Sequence, residues 1–144
     1  MPIGNQVCSL ELSKKLLSLG VKQNSYFYWR QINSNEGKEY TGIHCPSHPL
    51  LSDISAFSVY ELMELLPPYI DTKNNEPFNT FGFNLIKCSS HNIQYICNYH
   101  CDCSQFDSGS PYFALKLIKH NIYDENLADC LAKTLIYLIE EGFV

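Results

Sequence analysis

Apolar residues recur with helical spacing in three stretches of the chain, and each stretch predicts a helix with one buried face. The first runs from Ser9, a suitable N-cap, to Leu19, and Gly20 after it predicts a left-handed residue that ends the helix. The third begins near Asp124 and ends at Gly142. Its apolar stripe consists of Leu127, Leu131, Leu135 and Leu138. We expect this closing helix to cover a sheet.

The second predicted helix has the clearest start signal. Ser58 and, three residues later, Glu61 make a capping box, in which each side chain bonds the backbone of the other residue. Phe57 and Leu62 occupy the positions of a hydrophobic staple. The apolar face is expected to consist of Val59, Leu62, Met63 and Leu66. The dipeptide Pro67–Pro68 ends the helix, because proline has no backbone N–H to donate.

Stretches rich in aromatic and β-branched residues predict strands, since those side chains favour a pleated surface. They are Ser25–Ile32, Lys38–Ile43, Thr80–Lys87, Ile93–Tyr99 and Tyr112–Ile118, the last of which also fits a helix. The order of these elements predicts an α+β fold, in which an antiparallel sheet of about four to five strands packs against three helices. Residues 1–144 are expected to form a single domain, with one face of the sheet open for binding.

Charge and composition narrow the classes of partner. The 144 residues include 10 Lys and Arg, and the formal net charge is -5, which argues against a broad nucleic-acid-binding face. No stretch approaches the roughly 20 apolar residues of a membrane span. The N-terminus lacks the pattern of a secretory signal, so we predict a cytoplasmic protein. Its seven cysteines are then expected to be thiols or metal ligands.

Cysteine and histidine residues form closely spaced pairs. Cys45 and His48 lie three positions apart, as do Cys97 and His100, and two such pairs supply enough ligands for one tetrahedral zinc site. Against this, Cys97 lies in a predicted strand and suits a small buried apolar residue. We therefore predict no metal site and no cofactor, and leave open whether the Cys/His-rich stretch 88–103 binds zinc.

No set of catalytic residues is complete in the sequence. Gly82 and Gly109 stand alone, so no glycine-rich phosphate loop is present, and we predict that the chain is not an enzyme. The segment most suggestive of binding is aromatic. On an alternating strand, Tyr26, Tyr28 and Arg30 share a face that can stack on a base and hold a phosphate. The alternative is that half of this strand is core, with Phe27 and Trp29 as its buried residues.

Three segments of the chain have a familiar sequence: VCSLELSKKLLSLGVKQNSYFYWR (Val7–Arg30), ISAFSVYELMELLP (Ile54–Pro67) and ENLADCLAKTLIYLIEEGFV (Glu125–Val144). They resemble a group of small accessory proteins carried by bacteriophages and prophages. The resemblance implies a counter-defence protein of the host cell cytosol, which binds a host protein or traps a nucleotide-derived immune signal.

These features together predict a non-enzymatic phage-type accessory protein that binds and sequesters a small nucleotide-like ligand. Its site would consist of Tyr26, Tyr28 and Arg30, with a homo-oligomer as one option. The alternative is a protein-interaction module that inhibits a host protein, which requires an exposed apolar patch and no ligand-sized pocket. A zinc-stabilised structural domain is the third hypothesis.

Overall fold

The computed structural model describes residues 6–34, 37–71, 80–88, 95–100 and 121–144. Within these ranges lie three helices and seven strands, which confirms the predicted α+β class. In chain order they are α1 (Leu10–Ser18), β1 (Tyr28–Ser34), β2 (Gly37–His44), β3 (Ile54–Ser55), α2 (Val59–Leu65), β4 (Tyr69–Asp71), β5 (Thr80–Lys87), β6 (Tyr95–His100), β7 (Ile122–Asp124) and α3 (Leu127–Glu140). None of the helices in this part of the chain is long and apolar enough to span a bilayer.

The strands form two antiparallel sheets, where the sequence predicts one. The first sheet has the order β2-β1-β3 and the second has the order β4-β5-β6-β7. β1 pairs with β2 on one side and, at Tyr28 and Trp29, with β3 on the other, and none of the described strands after β3 joins it. β3, β4 and β7 have two or three residues each, too few for an alternating pattern to be recognised. The predicted strand Tyr112–Ile118 lies outside the described residues.

Helix α3 lies in the middle of the core and packs against α1, α2, β6 and β7. Its buried residues are Ala128, Cys130, Leu131, Ala132, Thr134, Leu135, Ile136 and Leu138. The predicted leucine stripe is thus largely buried, but neighbouring faces of the helix are covered as well. The predicted start near Asp124 is corrected: Asp124 pairs with Tyr95 in the sheet, and Asn126 caps the helix by accepting the N–H of Ala128.

Glycine ends α1 and α3, as the sequence predicts. Gly20 has φ of 83° and Gly142 has φ of 73°, a left-handed conformation that glycine adopts without strain. After α1, the N–H of Gly20 donates to the carbonyl of Leu17 at 3.0 Å, and that of Val21 donates to Leu16 at 3.1 Å. The same pair of bonds follows α3, so both helices end in a Schellman motif.

The predicted capping box of α2 is confirmed. The N–H of Glu61 donates to Ser58 Oγ at 3.3 Å, and the N–H of Ser58 donates to Glu61 Oε2 at 2.8 Å. The Glu61 carboxylate also accepts the N–H of Tyr26 at 2.9 Å, so the cap joins α2 to the segment before β1. Ser9 is the N-cap of α1, as predicted, but its hydroxyl makes no capping bond.

Ser58→Ala is expected to lower the free energy of unfolding by about 1 kcal/mol, because the N–H of Glu61 loses its acceptor. Urea denaturation of the wild type and the variant measures the difference. Ser9→Ala is the matched control, since it makes the same substitution at the N-cap of α1, where the serine side chain forms no capping bond. We expect almost no loss of unfolding free energy in this variant. Equal losses in the two variants would show that the Ser58 hydroxyl has no special role.

Candidate functional site

The structure separates the three residues that the sequence predicts to hold a ligand. Tyr26 precedes β1 and is 72% exposed, whereas Tyr28 is 5% exposed and belongs to the core. The Tyr28 hydroxyl accepts the N–H of Ser25 at 3.1 Å. Arg30 is directed to Asp53, with 3.1 Å between Nη2 and Oδ2. The three side chains therefore do not share one exposed face.

The start of β1 accounts for the position of Tyr26. The strand begins at Tyr28 and not at Ser25, so Tyr26 lies outside the ladder. The register shift in the β1–β2 ladder falls on β2, whose Gly42 is the unpaired extra residue, so β1 itself keeps its alternation. The predicted alternation of Tyr26 with Tyr28 and Arg30 was wrong because Tyr26 precedes the strand. Ligand binding by any of the three stays a prediction.

The pairing of Arg30 with Asp53 has a structural role. The Asp53 side chain is fully buried, while that of Arg30 is 29% exposed. Burial acts to raise the pKa of Asp53, but hydrogen bonds from Arg30 and from the N–H of Leu50 outweigh it and hold that pKa below its ordinary value. Arg30 thus neutralises a buried carboxylate, which leaves less of its hydrogen-bonding capacity for a phosphate.

The residues considered for zinc are only partly described. Cys45 and His48 are both exposed, whereas Cys97 is buried, as expected for a small apolar residue, and lies against Cys130. Within the described ranges, no three His, Cys, Asp or Glu side chains come together as metal ligands do. Most of the stretch 88–103 lies outside those ranges, so zinc binding there stays a hypothesis.

A groove lies beside the C-terminal end of α2. Its volume is about 500 Å³, within the range of sites that accept a small ligand or a few side chains of a partner. We call it the α2 groove, and its lining residues are Met63, Glu64, Leu66, Pro67, Pro68, Tyr69, Gly82 and Phe83. The groove opens to solvent, and α2, the turn after it, β4 and β5 form its walls.

Hydrogen bonds and ring packing hold the floor of the α2 groove in place. The N–H of Phe83 donates to the carbonyl of Pro68 at 3.0 Å, which joins the turn after α2 to β5. Tyr99 of β6 donates its hydroxyl to the carbonyl of Pro67 at 2.6 Å, and its ring centre lies 5.3 Å from that of Phe83. Burial raises the pKa of Tyr99, so its hydroxyl remains a donor. The groove is therefore preformed.

Large exposed side chains lie around the groove. Tyr60 and Tyr69, which we call the rim, are each 66% exposed, and Met63 in the groove lining is 41% exposed. The Tyr60 hydroxyl donates to Glu64 Oε1 at 2.6 Å, and this bond raises the pKa of Tyr60. The bond orients the Glu64 carboxylate, the single charged group among the described lining residues. The surface is thus aromatic and apolar, with one acidic group.

The sequence predicts only part of this surface. Met63 was expected on the buried face of the second helix, but it is 41% exposed, while Leu62 and Leu66 are buried as predicted. α2 has seven residues, and a helix of this length buries only a narrow stripe. The signal that was missed is the spacing of Tyr60, Met63 and Glu64, which places two large side chains and a carboxylate on the neighbouring face.

Comparison of the chain with protein-family models, with curated proteins and with solved structures found no match. Function is therefore argued from the chemistry of the α2 groove and its rim.

Proposed function

We propose that this chain is a non-enzymatic protein-interaction module, which binds a partner protein through the α2 groove and the rim. The observation that carries the proposal is a preformed, largely apolar groove beside Tyr60 and Tyr69, each 66% exposed. Tyrosine and methionine are enriched in the cores of protein interfaces, where a few large side chains contribute most of the binding energy. Contiguous exposed groups of such residues mark interaction sites on soluble proteins.

The chemistry of the groove suggests a partner that presents an apolar side chain next to a Lys or Arg. Met63 and Phe83 offer contacts to the apolar side chain. Glu64 offers a carboxylate to the cation, and the tyrosine rings of the rim attract a cation to their faces. The formal net charge of -5 favours the approach of a basic surface over an acidic one.

The resemblance to phage accessory proteins suggests a host protein as this partner, bound in the cytosol and inhibited by the contact. Sequestration of a nucleotide-like ligand has less support, because Tyr28 is buried and Arg30 is paired with Asp53. The α2 groove is large enough for a small ligand, which departs from the interaction hypothesis as the sequence framed it. We place protein binding ahead of ligand binding because the groove is open to solvent and flanked by exposed tyrosines.

Tyr69→Ala is expected to weaken partner binding by about 30-fold, as the loss of an interface hot spot does. The wild-type protein is first used to capture binding proteins from a bacterial lysate. Each captured protein is then purified, and its dissociation constants for the wild type and the variant are measured by calorimetry. A captured protein supports the proposal only if its affinity falls with Tyr69→Ala.

Tyr123→Ala is the matched control. Tyr123 is 46% exposed on β7, at the opposite end from β4 in the order of the described strands of the second sheet. The control therefore removes an exposed tyrosine away from the groove. We expect its affinity to equal that of the wild type. Similar affinities for Tyr69→Ala and wild type would overturn the proposal. Self-association that Tyr69→Ala abolishes would instead identify a second copy of this chain as the occupant.

A further inference from the structure

Two buried cysteines from different elements meet in the core. Cys97 lies on β6 and Cys130 on α3, and both are 0% exposed. Their sulfur atoms are 3.1 Å apart, with the S–H of Cys130 donating to Cys97 Sγ. Cys130 Sγ also lies 3.3 Å from the carbonyl oxygen of Ile122 and 3.7 Å from that of Tyr95. The proposed binding surface uses neither thiol.

We propose that Cys97 and Cys130 form a redox modification site, at which a hydroperoxide converts the two thiols into an intramolecular disulfide. A disulfide requires an S–S distance of about 2.05 Å, so the two sulfurs have to approach each other by roughly 1 Å. Side-chain rotation accounts for such a movement more readily than a shift of α3, which is packed on several sides. The product joins α3 covalently to the second sheet.

The two thiols are not equivalent. The hydrogen bond from Cys130 lowers the pKa of Cys97, against the opposing effect of burial. The pKa of Cys130 is raised by the same hydrogen bond and by burial. Cys97 is therefore the first of the pair to lose its proton, and its thiolate is the nucleophile.

The oxidation proceeds in two steps that balance. The Cys97 thiolate attacks one oxygen of hydrogen peroxide, the O–O bond breaks, and Cys97 sulfenic acid and hydroxide form; a proton converts the hydroxide to water. The sulfur of Cys130 then attacks Cys97 Sγ, the S–O bond breaks, and the hydroxyl group leaves as water with the proton of Cys130. Two thiols thus lose two electrons, and one peroxide becomes two waters.

β7 offers a route for the peroxide. This strand has three residues and comes last in the order of the described strands of the second sheet, and Ile122 pairs with Cys97 in the ladder. Short edge strands open locally at a lower free energy than the core does. Oxidation also removes the S–H that Cys130 donates to Cys97, so the disulfide replaces a hydrogen bond between α3 and β6 with a covalent bond.

The test treats the reduced wild-type protein with a small molar excess of hydrogen peroxide. We expect the intact mass to fall by two hydrogen atoms, and a peptide map to show Cys97 linked to Cys130. The map is needed because the chain has seven cysteines. The melting temperature should rise by about 5 to 10 °C and return to its starting value after reduction. A map in which Cys97 and Cys130 stay unlinked, while other cysteines are oxidised, would overturn the proposal.

Variants separate the two roles and supply the control. Cys130→Ser is expected to stop at Cys97 sulfenic acid, which dimedone traps, whereas Cys97→Ser should form neither product at this site. Cys8→Ser is the control, because Cys8 is also 0% exposed but its sulfur lies 3.2 Å from the Ser13 hydroxyl and not beside a second thiol. Cys8→Ser should form the Cys97–Cys130 disulfide at the wild-type rate. Loss of the disulfide in Cys8→Ser would contradict the assignment.

Discussion

Phe57→Ala is expected to lower the free energy of unfolding by about 3 to 5 kcal/mol, because it removes a core ring and leaves a cavity that the packed neighbours cannot fill. Phe57 is 1% exposed and belongs to the same core cluster as Leu62 and Leu131. It also precedes the N-cap Ser58, so its side chain fixes the direction in which the chain enters α2. Its carbonyl accepts the N–H of Cys8 at 2.9 Å, a bond that the substitution leaves in place.

Denaturant unfolding monitored by far-UV circular dichroism measures this loss. Leu65→Ala is the control on α2 itself, because Leu65 is 43% exposed and its removal creates no closed cavity. We expect that control to cost less than about 1 kcal/mol. If Phe57→Ala and Leu65→Ala are equally mild, the core does not depend on Phe57.

The groove should also bind its partner less well in Phe57→Ala, because the start of α2 is no longer held.

Arg30→Met is expected to lower the free energy of unfolding by about 2 to 3 kcal/mol at neutral pH. The variant keeps much of the apolar stem but leaves the fully buried Asp53 carboxylate without its cation. We place the loss below the range for fully buried pairs because the Arg30 side chain is 29% exposed, and water screens the pair in part. The N–H of Leu50 still donates to Asp53 in the variant, at 2.9 Å in the wild type.

The pH dependence of this loss has a defined sign. In the wild type, the pKa of Asp53 is lower in the folded than in the unfolded state, so the pair contributes stability above the unfolded pKa. That contribution is lost as the pH falls through the folded pKa, in the region below about pH 4. Arg30→Met raises the folded pKa of Asp53, so its ionisation becomes unfavourable. The gap in stability between the two proteins should therefore narrow as the pH falls toward 3.

Urea unfolding at pH 7 and pH 3 tests this expectation, and a second substitution sharpens it. Arg30→Met combined with Asp53→Leu removes both charges, so the double variant should recover much of the stability that Arg30→Met loses. A double variant less stable than Arg30→Met, or a gap that does not change with pH, would show that the charge of Asp53 is not the cause. In that case, lost packing of the Arg30 stem would be the better explanation.

Local features of this protein were predictable because they depend on residues close together in the chain. Ser58 and Glu61 form their capping box with bonds that span three residues, and Gly20 and Gly142 adopt the left-handed conformation that ends a helix. β5 was predicted with its observed bounds, since eight residues are enough for a pattern to be recognised. Interactions of this range need no knowledge of the rest of the fold.

The sequence by itself determined the α+β class, the positions of the three helices and most of the buried stripe of α3. Only the tertiary structure decided that β1 pairs on both sides, which buries Tyr28 and leaves Tyr26 outside the sheet. It also placed β4 and β5 beside α2 to form a groove, and brought together Cys97 and Cys130, 33 residues apart in the chain. The physical reason is the same in each case. These contacts join residues distant in sequence, and their geometry depends on strand pairing and packing that no local pattern encodes.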